Sequence, residues 1–326
     1  MKKARIIYNP TSGKEAFKRQ LPEVLEILEK AGYEASCHAT TGAGDATRAA
    51  QIAVERRYDV VIAAGGDGTI YEVVNGLAEQ EYRPKLGIIP VGTTNDFARA
   101  LRISTKSILE AAETIAEGLT IPIDIGKMDN RYFINIAAGG RLTELSYEVP
   151  SKLKTRLGQL AYYMKGLEML LPSLKATPVS IEYDGKLFEG DAMLFLVANT
   201  NSVAGFERLA PDASLNDGMF TLLILKKINL PDFVRIAALA LRGEHIHDPS
   251  VIYVKANRIK VHSSEKLQLN LDGEFGGLAP AEFVNLYRHL DVFVPESVHE
   301  KQKITDRHIL VSDDAVFEKP DLDQLL

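Results

Sequence analysis

With 326 residues, 46% of them hydrophobic, a net charge of −6 and one cysteine, the chain is long enough for two cored domains and cannot form an internal disulfide. The acidic balance argues against general nucleic-acid binding, and no apolar run approaches the length of a membrane-spanning helix. Met1-Lys2-Lys3 leads straight into a strand pattern, so no signal peptide is expected, and Cys37 reads as a small core residue in a reducing cytoplasm.

Along the first third, strands and helices alternate. Apolar runs near 4–9, 33–39, 59–64 and 86–90 read as strands, and amphipathic stretches near 14–31, 44–57, 69–79 and 104–117 as helices. This alternation predicts a parallel sheet covered on both faces. The first strand ends in Asn9-Pro10-Thr11-Ser12-Gly13, and the helix that follows carries Leu21, Val24, Leu25, Leu28 and Ala31 on one face. The Thr11 and Ser12 hydroxyls and the Gly13 backbone then fall at a helix N-terminus, as a cap or as an anion site. A Walker loop is excluded, because Tyr8 stands where its first glycine belongs and Glu15 where Ser or Thr belongs.

The third strand opens into Gly65-Gly66-Asp67-Gly68-Thr69, and a helix begins at once with Ile70-Tyr71-Glu72. Glycines let a backbone approach phosphate, and free N–H groups at the helix start point toward it. Asp67 inside that turn would repel a phosphate unless a divalent cation bridged the two, which is the habit of Mg²⁺. The fourth strand leads into Gly92-Thr93-Thr94-Asn95-Asp96, again an acid beside small hydroxyl residues. Strand C-termini of an open parallel sheet share one edge, where ligands bind.

Near residue 124 the pattern changes to β-rich segments near 121–127, 131–138, 177–184, 187–198, 219–226, 251–262, 266–271 and 281–294. Asp184-Gly185 reads as a hairpin turn, and so does Asp272-Gly273 when taken alone. The expected fold class is α/β: a parallel-sheet nucleotide-binding domain over 1–124, then an antiparallel β-sandwich with helical insertions over 125–295. An acidic tail, 296–326, is expected to pack partly on the first domain with a mobile end.

The loop Pro211–Gly218 carries Asp, Ser and backbone carbonyl oxygens suited to a hard cation, or else is an Asp-rich turn without metal. His245-Ile246-His247-Asp248 reads as a polar loop. Between Ser151 and Lys175, leucines at helical spacing leave Lys154 and Lys165 within about 20° of each other on the helix surface. That basic face suits anionic lipid, at about 1 kcal/mol per residue.

Asn9–Gly13, Gly65–Thr69, Gly92–Asp96 and Leu271-Asp272-Gly273-Glu274, in this order and spacing, resemble the catalytic superfamily of diacylglycerol kinases and related lipid kinases. The resemblance covers about residues 1–295, and Ala137–Tyr147 is most similar to the soluble bacterial diacylglycerol kinases. It implies an ATP-dependent, Mg²⁺-assisted kinase that converts 1,2-diacylglycerol to phosphatidic acid from the cytoplasm, binding membranes reversibly. Another lipid alcohol, such as a sphingoid base or a polyprenol, and a catalytically silent nucleotide-binding regulator are the alternative readings.

In the implied site, Asn9, Pro10, Thr11, Ser12, Gly13, Thr40, Gly66, Asp67, Gly68, Thr69, Ile70, Tyr71, Glu72, Thr93 and Asp96 hold the nucleotide. Glu274 takes the acceptor's proton, and Asp272 either orients it or joins a Mg²⁺–water network with Asp67, Asp96 and Asp124. A second, structural Mg²⁺ on Ser214, Asp217 and Met219 and a homodimer are further implications.

Overall fold

The computed structural model describes residues 1–140, 175–201 and 208–304. Strands β1 (Lys2–Tyr8), β2 (Tyr33–Ala39), β3 (Val60–Gly65) and β4 (Lys85–Pro90) form a parallel sheet in the order β4-β3-β1-β2. Every residue of β3 is buried, the continuous apolar run of a strand covered on both faces. Val60, Val61 and Ile62 each contribute about 1.5–3 kcal/mol by that burial. Helices α1 (Ala16–Lys30) and α5 (Ile108–Glu117) pack together, as do α2 (Asp45–Glu55) and α3 (Asp67–Leu77). The chain steps from β1 outward to β2 and returns past β1 to β3, so β1 and β3 flank the point where strand order reverses.

The stretch expected to be helical near 104–117 starts later, at Ile108, because Ser107 caps it by accepting the Glu110 N–H at 3.2 Å. A separate five-residue turn, α4 (Asp96–Ala100), follows Asn95, and Asp96 begins it. The first helix starts at Ala16, since a 3₁₀ turn over Ser12–Glu15 ends with Glu15 in the left-handed region.

The second half is antiparallel. Its strands are β5 (Thr120–Met128), β6 (Arg131–Phe133), β7 (Ile136–Gly139), β8 (Thr177–Tyr183), β9 (Lys186–Ala198), β10 (Phe220–Lys226), β11 (Val251–Ala256), β12 (Arg258–Ser263), β13 (Gln268–Leu271), β14 (Glu274–Leu278) and β15 (Ala281–Phe293). Phe133 stacks on Phe220 and meets Phe283 edge-on in the core between the layers. Gly126 makes the room, because a Cβ there would lie 2.1 Å from the Phe133 ring. Helix α6 (Leu230–Ala240) covers an outer face through Ile236.

Asp184-Gly185 is the expected hairpin turn, with both residues at positive φ. The Asp184 carboxylate accepts the Asn257 and Arg258 N–H groups, and this breaks the expected single strand near 251–262 in two. Strand β14 had no signal in the sequence, because Gly276 and Gly277 dilute its β pattern.

The two halves share one hydrogen-bonded sheet. Strand β15 pairs with β12 at its start and reaches β4 at its end, where Val292 stands opposite Leu86. Leu290, Val292 and Phe293 belong to the first core, Phe283 to the second. Asn75 on α3 braces the junction, donating to the Tyr71 and Tyr132 carbonyls and accepting the Tyr132 N–H. Beside it Glu79 accepts from Lys127 at 2.5 Å and from the Tyr132 hydroxyl, which hold its carboxyl below the usual range. The Glu79 N–H donates to His289 Nε2 at 2.9 Å. Burial, with Arg83 nearby, pushes that imidazole down to about 4. Past β15, Val298 packs on the first core and a ring nitrogen of His299 lies 3.2 Å from the Thr120 carbonyl.

Candidate active site

Three loops leave the sheet at its β1, β3 and β4 ends and meet backbone to backbone. Gly13 has φ +56°, and a Cβ there would lie 2.6 Å from the Val91 carbonyl oxygen. A Cβ on Gly92 would lie 2.6 Å from Gly66 Cα. Hydrogen bonds tie the ends together: Asn9 N–H to Ala64, Val91 N–H to Gly65 and Thr40 N–H to Tyr8. Asn95 completes the β4 loop by accepting the Gly92 N–H and donating to the Gly92 carbonyl.

A cavity of about 960 Å³ opens over this junction. Asn9, Pro10, Thr11, Ser12, Thr40, Gly66, Gly68, Thr69, Tyr71 and Glu72 line it from the first domain, and Glu274 from the second. A Cβ built on Gly68 would stand 3.7 Å from Glu274 Oε1, so the carboxylate overhangs the glycine turn. At the start of α3 the Thr69 and Ile70 N–H groups bond the Gly66 carbonyl at 3.0 and 3.2 Å, so the Asp67 and Gly68 N–H groups are the ones left outside the helix's own ladder. The Asn9 carboxamide accepts both the N–H and hydroxyl of Thr11, fixing the β1 loop.

Other expected residues stand back from the cavity. Ile70 is fully buried and its N–H bonds the Gly66 carbonyl, so only its core packing supports the turn. Glu72 reaches the wall, yet its two oxygens accept the Gly44 and Ala46 N–H groups and so cap α2. Thr93 is exposed, and neither it nor Asp96 lines the cavity. Sequence reasoning missed Thr47, Gln51, Asn75, Arg131 and Phe275, which do line it. Thr47, Gln51 and Asn75 sit on helix faces and Arg131 and Phe275 beside two hairpin turns, and none of these residue types carries a site signal by itself.

Asp67 sits behind the turn. Its Oδ1 is buried without a hydrogen-bond partner. Burial first, and then the neighbouring Asp96, raise its carboxyl above the usual range, while N–H groups of residues 95–97 oppose this. An orphaned carboxylate oxygen beside a second carboxylate fits a hard divalent cation, which takes one or two carboxylates plus substrate phosphates.

Asp272 is in the hairpin turn between β13 and β14, at φ +51°. Its carboxylate accepts the N–H groups of Ile134, Asn135 and Ile136 at 2.7–2.9 Å. Burial pushes its carboxyl up to about 7 against those three donors. Asp272 thereby pins the turn that carries Glu274 to the segment between β6 and β7.

Asp124, expected near the nucleotide network, is fully buried in strand β5, against the 211–218 loop. It accepts the Gly218 and Arg288 N–H groups, and Asp217 is among the charges acting on it. Asp217 itself accepts from Met219 N–H at 3.1 Å and from Lys255 at 2.9 Å, and Ser214 bonds Asn216. A lysine ammonium thus occupies the Asp217 carboxylate on which a structural cation was expected. His245 is buried with a ring nitrogen on the Leu209 carbonyl, and Asp248 pairs with Arg235, as a polar loop requires. No cluster of three or more His, Cys, Asp or Glu suited to a metal occurs among the described residues. Lys154 and Lys165 lie outside those residues.

A glycine turn whose strand ends open on a cavity, with a β-rich half that brings a carboxylate over it, is the arrangement of a phosphotransferase. Residues 3–128 match the family model described as diacylglycerol kinase catalytic domain. Residues 145–296 match the YegS C-terminal NAD kinase beta sandwich-like domain. The chain belongs to the diacylglycerol kinase family.

A diacylglycerol kinase of Bacillus subtilis (strain 168) is 67% identical over 301 residues, spanning 92% of this chain and 99% of that protein. One from Staphylococcus aureus (strain bovine RF122 / ET3-1) is 57% identical over 318 residues, spanning 98% and 99%. The fold is shared with a crystal structure of a diacylglycerol kinase from Bacillus anthracis str. Sterne. That comparison gives a TM-score of 0.77 at 29% identity over 91% of this chain and 98% of that one.

Proposed function

We propose that the protein transfers the terminal phosphoryl group of ATP to the free hydroxyl of 1,2-diacylglycerol, giving phosphatidic acid. The observation that carries this is the Glu274 carboxylate overhanging Gly68 in the cavity that the glycine turn opens into. The turn Gly66–Thr69, the Asn9–Gly13 loop and Thr40 cradle the phosphates through backbone N–H groups and hydroxyls, and the β4 loop that carries Thr93 packs on the turn through Gly92. Glu274 accepts the acceptor's proton as charge passes to the phosphoryl group, so its position matters more than its basicity. Asp272 fixes that position through the 134–136 amides.

When bound, Mg²⁺ would neutralise charge on the transferring phosphates, and Asp67 with Asp96 are the residues fitted to hold it. A second cation at Asp217, Ser214 and Met219 requires Lys255 to release Asp217. No helix among the described residues is long and apolar enough to cross a membrane. Access to a lipid acceptor therefore falls to the surface, and Lys154 and Lys165 are the residues we assign to anionic lipid. A homodimer fits the family.

The test is phosphate transfer from labelled ATP and Mg²⁺ in mixed micelles across diacylglycerol, ceramide, sphingosine, undecaprenol and NAD. Labelled phosphatidic acid as dominant product supports the reading. Label on another acceptor keeps the mechanism and replaces the substrate, while ATP binding with no labelled product leaves a silent regulator.

A further inference from the structure

Two hairpin tips close the second-domain side of the cavity. One is the turn Asp129-Asn130 between β5 and β6, where Met128 pairs with Arg131; the other is Asp272-Gly273 between β13 and β14. The two hairpins are tied at two places. Asp272 accepts three N–H groups just beyond β6, and Arg131 Nη1 donates to the Phe275 carbonyl at 2.5 Å. Glu274 is therefore bracketed, with one clasp two residues before it and the second on the residue after it.

Arg131 is also the one cationic side chain among the described residues that line the cavity, whose walls otherwise carry the carboxylates of Glu72 and Glu274 and neutral polar groups. Glu72 is already committed to α2. A guanidinium presents five donors in a rigid fork, so one can hold the Phe275 carbonyl while the group still faces the opening.

We propose that Arg131 is a positioning residue for the proton acceptor: it locks the Phe275 carbonyl and so aims Glu274 at the acceptor hydroxyl. The inference rests on the kinase reading above. In the step it serves, the acceptor O–H bond breaks and its proton passes to a Glu274 carboxylate oxygen. The acceptor oxygen bonds the γ-phosphorus as the bond from that phosphorus to the bridging oxygen of ADP breaks. Arg131 keeps its proton throughout. Asp272 and the β13 ladder, in which Phe275 stands opposite Asn270, hold one edge of β14; among the described residues β14 ends the sheet, and Arg131 adds a tie at the Phe275 carbonyl.

The test is a double-mutant cycle on kcat with diacylglycerol in mixed micelles, using Arg131→Met, Glu274→Gln and both together. Arg131→Met is expected to lower kcat about 10²-fold, the order expected when a reacting group is misplaced by about 1 Å. The dissociation constant for ATP should stay within about threefold and the thermal midpoint should not move. In the Glu274→Gln background the same change should lower kcat less than about threefold, because a residue acting through Glu274 has nothing left to aim. Arg131→Lys, which keeps one donor, should fall between.

Wild-type kcat in Arg131→Met would overturn the proposal. So would full additivity, which would make Arg131 an independent contact, or a collapsed thermal midpoint in both Arg131 variants, which would make it a fold determinant. Absence of phosphatidic acid from the wild-type protein would instead sink the kinase reading itself.

Discussion

Replacing Gly92 with alanine tests whether the three loops act as one backbone-packed unit. The added Cβ would stand 2.6 Å from Gly66 Cα and 2.7 Å from Asn95 Oδ1. Carbon atoms in contact prefer about 3.5–4.0 Å, so the β3 and β4 loops must part by about 1 Å. Overpacking of this kind costs typically about 1–3 kcal/mol. The displacement acts at the phosphate cradle, where about 1 Å is enough to lower turnover about 10²-fold.

Gly66→Ala should cost less stability, since its Cβ meets Gly92 Cα at 3.4 Å, a contact that needs only a small shift. Gly42→Ala, with nothing within 4 Å, should leave stability unchanged. Denaturant unfolding ranks the three, and steady-state kinetics on diacylglycerol gives kcat and KM for ATP. A Gly92→Ala protein with wild-type midpoint and wild-type kcat would refute the packed-loop account and detach Asp96 and Thr93 from the site.

Four further outcomes are expected. Glu274→Gln should keep ATP binding and lower kcat by about 10²–10⁴-fold, as loss of a positioned base does; near-normal turnover removes Glu274 from the mechanism. Glu72→Ala should destabilise by about 2 kcal/mol because the Gly44 and Ala46 N–H groups lose their acceptor; unchanged unfolding with weaker ATP binding would restore a direct nucleotide role. His289 is held at about 4, below its unfolded value, so its contribution is complete above about pH 6.5 and lost as pH falls toward 4. His289→Gln should flatten the fall in urea stability between pH 7 and 4.5, and a slope equal to wild type would contradict that burial. Reversing Lys154 and Lys165 to Glu should abolish activity on anionic vesicles and spare a detergent-solubilised short-chain substrate; equal loss on both would place them in the site or the fold.

The parallel half was legible because strands buried on both faces read as unbroken apolar runs, and because the glycine turns after β1, β3 and β4 are local signals. The fold class, the diacylglycerol kinase resemblance and the residues lining one side of the cavity came from those signals. For Glu72 the sequence showed only half of the picture, since a carboxylate next to a glycine turn looks the same whether or not it also caps a neighbouring helix. Only the packing of α2 on α3 sends it to the Gly44 and Ala46 amides. Asp124 was ambiguous for a similar reason: the partners of a buried acid lie far away along the chain, here at Gly218 and Arg288.

What the sequence determined by itself was therefore what depends on neighbours in the chain: the strand-turn-helix alternation, the three glycine-bearing loops at strand ends, and the Asp272-Gly273 turn just before Glu274. What the tertiary structure decided was the meeting of parts far apart along the chain. Strand β15 crossing from one core to the other, Glu274 settling over Gly68, and Arg131 clasping Phe275 are long-range pairings. Their geometry is set by sheet register and by which backbone groups still need a partner after the local structure has formed, and no local pattern encodes either.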